Sequence, residues 1–189
     1  MQLSIKTMIK NCVSENDDIE LRAFVDKYSA QIALLGIQFN WTDECTDAIN
    51  RCRTSKTAMD ANNKHQMKVL SELSSWCLTE LGGKMNRTKI ETLVTIQLHQ
   101  RDVFADILRL YKERKISDAN DFEWLKQARF YYNPSLKDHL GKGSTTISIC
   151  DADFNYSYEY LGCCDRLVIT PLTDRCYITL SQALNIRLG

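Results

Sequence analysis

Between Ile19 and residue 113 the apolar residues return every three or four positions, over a length that leaves little choice of fold. A period near 3.6 buries one face of a helix, whereas a half-buried strand needs strict alternation. The first stretch carries Leu21, Phe24, Val25, Tyr28, Ile32 and Leu35. Trp41 and Ile49 extend it toward Cys52, with Gly36 as a tolerated weak point. A second stretch, 55–81, has the stripe Met59, Met67, Leu70, Leu73, Cys77 and Leu78 and ends at Gly82-Gly83. A third, 87–113, carries Ile90, Leu93, Val94, Phe104, Ile107, Leu108 and Tyr111. Its middle, residues 97–102, is too polar for a core helix, which implies a kink or a contact surface.

Outside this block the signals are weaker. Residues 1–17 show little pattern, and Ser14 to Asp18 form a polar break. A short helix is predicted from Asn120, with Glu123 at the capping-box position, Phe122, Leu125 and Ala128 on one face, and Trp124 at its flank. At Phe130-Tyr131-Tyr132-Asn133-Pro134 aromatics cluster and Pro134 forbids a simple helix. Residues 140–144 read as a Gly-Lys-Gly loop. Alternation over 146–150 and 154–160, around Asp151-Ala152-Asp153, predicts a β-hairpin. The last segment, 161–189, reads as a short strand or extended loop at Leu167-Val168-Ile169, then a helix. Thr170 suits the N-cap and Pro171 the first helical position. Leu172, Cys176, Leu180 and Ala183/Leu184 share one face of that helix. The predicted class is therefore mainly α, with a small β-hairpin and a terminal strand–turn–helix, and with a boundary near Leu161-Gly162.

Charge narrows the possible partners. Lys plus Arg number 24 and Asp plus Glu number 24, so nothing general argues for nucleic acid or a membrane surface. Eight cysteines occur without a Cys-x-x-Cys pair, and free structural thiols are the expected reading, Cys77 and Cys176 serving as small apolar residues. Met8, Met59, Met67 and Met85 are expected to fill core. Gly141-Lys142-Gly143-Ser144-Thr145 resembles a phosphate loop only superficially, because its lysine precedes the second glycine and a strand pattern follows; a surface loop is expected. The carboxylates Asp17/Asp18, Asp43/Glu44 and Asp151/Asp153 read as solvated charge. The tyrosines at 156, 158 and 160, with Phe130, Tyr131 and Tyr132, read as aromatic packing within the sheet rather than base stacking.

Longer motifs say more. Tyr158-Glu159-Tyr160-Leu161-Gly162, followed by the run from Arg166 to Tyr177 (RLVITPLTDRCY), resembles the start of the first AAA+ module of dynein heavy chains. Asn120-Asp121-Phe122-Glu123-Trp124-Leu125 with Arg129-Phe130-Tyr131 resembles the closing helix of the dynein linker, and 90–103 resembles the linker segment before it. The likeness runs from about residue 25 onward and is closer to axonemal outer-arm heavy chains than to cytoplasmic ones.

That resemblance implies a helical linker bundle over 1–160, helical to about 130 with a β element over 146–160. Residues 161–189 would open an incomplete AAA+ α/β module. It implies that Leu167, Val168, Ile169, Thr170, Pro171 and Leu172 pack against adenine, and that the full family member binds ATP or ADP with Mg²⁺. The implied partners are the rest of the AAA+ ring, dynein intermediate and light chains, and microtubules, in the cytoskeleton of an axoneme; neither nucleic acid nor a membrane is implied. The family is a microtubule-motor ATPase, but these residues include no Walker A lysine, Walker B acid or sensor. The chain reads as a fragment from which neither ATP hydrolysis nor cofactor binding is expected alone. With its usual neighbours missing, the terminal helix is expected to pack poorly. The alternative is a stand-alone helical interaction protein without nucleotide chemistry.

Overall fold

Two long helices span the molecule, α3 (Ala30–Arg51) and α5 (Lys84–Lys112). In this computed structural model the described residues are 1–15, 19–55, 57–79, 83–164 and 168–187, with Pro171 described by its backbone alone. Around the long helices lie α1 (Gln2–Glu15), α2 (Leu21–Lys27), α4 (Ala58–Trp76), α6 (Phe122–Leu125) and α7 (Pro171–Asn185). The strands are β1 (Arg129–Asp138), β2 (Gly141–Ile149) and β3 (Ala152–Asn155). The chain is mainly α with one small antiparallel sheet, as its periodicity predicts.

The apolar stripes close into two cores. In the first, Ile5, Ile9 and Cys12 of α1 meet Phe24 and Val25 of α2, the first half of α3, Leu73, Ile90, Leu93 and Tyr158. The second gathers Trp41, Cys45, Ile49, Met59, Phe104, Ile107 and Trp124. Trp41 and Trp124 tilt against each other with ring centroids 5.2 Å apart, a geometry favoured by the ring quadrupoles. A polar seam separates the cores. Gln97 Nε2 donates to Gln66 Oε1 at 2.8 Å, and Gln66 Nε2 donates to Glu44 Oε2 at 2.8 Å. Both glutamines are buried, and pairing meets the cost of burying amides.

Several expectations need correction. The weakly patterned N-terminus is a helix, because three apolar residues at steps of four and three are enough to bury one face of α1. The pattern from Ile19 is two helices, broken where Tyr28 is extended (φ −95°, ψ 150°). There the Lys89 ammonium donates to the Val25 and Tyr28 carbonyls at the end of α2. In α4 the buried line is Met59, Gln66 and Leu73, so Met67 and Leu78 stand exposed. Met8 and Met85 are also exposed, leaving Met59 as the core methionine of the four. The helix predicted from Asn120 is a single turn in which Trp124 is fully buried and Phe122 exposed. Asp121, not a capping box with Glu123, organises that turn, accepting from the Ser117 and Asp118 backbone N–H groups.

The β region also extends further toward the N-terminus than alternation suggests. The order is β1-β2-β3, with Phe130 opposite Ile147 and Ile147 opposite Phe154. The Gly-Lys-Gly segment is part of β2, with Ser144 and Thr145 buried, not a surface loop. Pro134 is accommodated because the ladder is irregular between Asn133 and Lys137, and a bulge tolerates a residue without an N–H. β1 lies against α3, where the Phe130 N–H donates to Thr42 Oγ1 at 3.0 Å. Residues 156–160 are not strand.

Candidate functional site

The terminal segment is built locally as its sequence suggests. Thr170 is extended, its Oγ1 accepts the Thr173 N–H at 3.4 Å, and its own N–H donates to Thr173 Oγ1 at 2.7 Å. This reciprocal cap, with Pro171 at the start and Asp174 in the first turn, favours the helix N-terminus. Val168 to Thr170 is neither strand nor helix, and Thr170 itself is extended. Leu167 lies outside the described residues. Helix α7 runs beside β3. Its apolar stripe faces outward: Leu172, Leu180 and Leu184 are exposed, as is Cys176, which serves no core.

Val168, Ile169, Thr170 and Asp174 meet α5 around a cavity of about 230 Å³. The facing wall is Thr95, Ile96, Leu98, His99, Asp102, Val103 and Asp106. Those α5 residues include part of the polar middle that sequence reasoning left as a kink or a contact surface. Helix α5 is unbroken there, so the segment is a contact surface, with Gln97 and Gln100 turned to the core and His99 and Asp102 to the cavity. Periodicity could not identify these partners, because it places residues on a face without saying what the face meets.

Burial pushes the His99 imidazole below its ordinary value near 6.5, while Asp174 and Asp102 pull the other way. The ring is therefore neutral at neutral pH. The lining holds three carboxylates and no lysine or arginine. Its apolar walls suit a flat neutral group, and its charge repels phosphates. Of the six predicted site residues, Val168, Ile169 and Thr170 line this cavity; Leu172 is 71% exposed and does not. No group of three or more metal-ligating side chains occurs among the described residues.

A larger cleft of about 440 Å³ lies between α2, α3 and α4, over Phe24, Ile37 and Trp41, and none of the predicted site residues reaches it. Size alone therefore does not select the site. The cysteines are free thiols; burial raises the thiol pKa of Cys12 to about 12 and pushes that of Cys45 well up, which makes both inert.

A helical scaffold thus hands its chain, after β3, to a separately capped helix. The family described as the hydrolytic ATP binding site of the dynein motor region matches residues 156–189, beginning one residue after β3 ends. The chain is 43% identical over 189 residues to the dynein gamma chain of the flagellar outer arm of Chlamydomonas reinhardtii, covering all of this chain and 4% of that protein. It is 45% identical over 169 residues to dynein axonemal heavy chain 8 of Mus musculus, covering 89% of this chain and 3% of that one. The human axonemal heavy chain 8 is 42% identical over 192 residues, covering all of this chain and 4% of that protein. These relatives are dynein heavy chains, and the chain spans about one twenty-fifth of their length.

Proposed function

We propose that these residues form the junction of an axonemal dynein heavy chain, where the C-terminal part of the linker (1–160) passes into the first AAA+ module (161–189). Its role is to transmit ATP-driven conformational change into movement along microtubules. The supporting observation is the position of the ATP-site match, which starts where the chain leaves the sheet. The adenine side of the first nucleotide site is assigned to Leu167, Val168, Ile169, Thr170, Pro171 and Leu172. In support, a cavity with apolar walls, carboxylates and no lysine or arginine suits a base and not a triphosphate. ATP or ADP, with Mg²⁺, would supply the phosphoryl chemistry when bound; this chain's part is to seat the base and hold the loop. The partners are the remaining AAA+ ring, intermediate and light chains, and microtubules in a ciliary or flagellar axoneme.

An 8-azidoadenine nucleotide photolysed on the full heavy chain is expected to label 167–172. Ile169→Asp in that chain is expected to raise KM for ATP roughly tenfold, the effect of one charge placed against a base. Labelling wholly outside this segment, with an unchanged KM, would overturn the assignment.

A further inference from the structure

One glutamine binds the segment that leaves the sheet at three points. Gln31, at the start of α3, is buried. Its Nε2 donates to Tyr156 Oη at 2.6 Å and to the Glu159 carbonyl at 2.7 Å. Its Oε1 accepts the Leu161 N–H at 3.0 Å. All the donors and one acceptor of the amide group are thereby used on residues some 130 positions away in sequence. The same segment is pinned from its other side. Tyr158, fully buried at φ 55°, donates to Asp138 Oδ2 at 2.8 Å and accepts the Thr145 N–H at 3.1 Å. A bulky residue in the left-handed region is strained, and it persists where surrounding contacts over-determine it.

After Leu161 comes Gly162 at φ 65°, where the atoms nearest to an added Cβ belong to the Tyr160 ring. Then Cys163 makes a 3.9 Å contact with Thr92, and Cys164 bonds back to the Leu161 carbonyl. Among the described residues before 165, Leu161 is the last whose backbone is hydrogen-bonded to the helical scaffold, and the next is the residue type that turns most freely.

We infer that Gln31 is a positioning residue for the motor. It fixes the end of the scaffold at Leu161, so that motion between the scaffold and the ATP module pivots at Gly162 and not further back. The inference rests on the motor reading above. Loss of Gln31 moves the pivot into 157–161 and lets motion in the ATP module dissipate there, while nucleotide chemistry proceeds.

Two measurements test this. In the 189-residue chain, Gln31→Leu keeps the volume and is expected to speed amide exchange of Leu161 about tenfold, with α5 amides unchanged. Gln31→Glu, nearly isosteric and unable to donate to the Glu159 carbonyl, is expected to act in the same direction. In the full heavy chain, Gln31→Leu is expected to slow microtubule gliding roughly fivefold while ATP turnover stays within about twofold. Unchanged Leu161 exchange, unchanged gliding, or turnover falling in proportion to gliding would each overturn the inference. A wild-type heavy chain that moves no microtubules would instead sink the motor reading, and the exchange experiment would still judge the clamp.

Discussion

Lys6 of α1 forms an ion pair with Asp138 at the end of β1, and both side chains are more than nine-tenths covered. The carboxylate is fully engaged: Tyr158 Oη and the Leu140 N–H also donate to it. Lys6 also donates to the Gly141 carbonyl at 3.0 Å. Removing one partner leaves a buried charge uncompensated. Lys6→Met is therefore expected to lower stability by roughly 3–5 kcal/mol, whereas Lys6→Met with Asp138→Asn, which removes the charge and keeps one acceptor oxygen, should recover part of the loss. Urea denaturation of the three chains checks this; equal stability of Lys6→Met and the native chain would refute it. Burial alone would raise the Asp138 pKa, but Lys6, Tyr158 and the Leu140 N–H outweigh it and hold it below 3.8. Its contribution is complete above the unfolded value and is lost as pH falls through the lower folded one.

His99 gives a different pH dependence. Its folded value lies below its ordinary one because of burial, with Asp102 and Asp174 facing it. The neutral ring favours the folded state above about pH 6.5, and that contribution fades as pH falls through the folded value. Exchange protection of the first turn of α7 is expected to weaken as pH falls below about 6.5, and His99→Gln should flatten the change. An identical pH response in both chains would contradict it.

Gly36 is not a weak point in α3 but a place of close approach. A Cβ there would meet Phe24 Cζ at 2.5 Å and Cys12 Sγ at 2.8 Å. Alanine would gain up to about 1 kcal/mol of helix propensity. Overpacking two buried neighbours costs about 1–3 kcal/mol. Gly36→Ala is expected to be net destabilising, and a raised thermal midpoint would show that α1 and α2 yield more easily than the packing implies.

At the other end, Thr170→Ala removes the cap of α7. A loss of about 1 kcal/mol in local stability is expected, seen as faster exchange at the Thr173 amide, with Thr170→Ser restoring most of it. No change in that amide would show that Pro171 alone sets the helix start.

The helices were legible wherever apolar residues dominate a long stripe, as Ile90, Leu93, Phe104 and Ile107 do in α5 despite Gln97 and Gln100. They were misread where a polar residue sits at the centre of the buried line. Gln66 is such a residue, and its pairing with Gln97 across two helices has no local signature. The Thr170-Pro171 cap was legible because its chemistry lies within four residues. The α5 wall of the cavity was not, since His99 and Val168 are brought together only by tertiary packing. Strand β1 was hidden by Pro134, whose tolerance depends on a bulge that sequence does not announce. Trp124 looked peripheral because a one-turn helix has too few residues to show a face.

The two cores share α3 and α5, each of which runs from one core through the glutamine seam into the other. Neither core can be pulled from the other along that direction without breaking hydrogen bonds within a continuous helix. A tensile load between the ends of α3 is thus resisted in series by backbone bonds, as in a beam, and not by a surface between lobes that could slide apart.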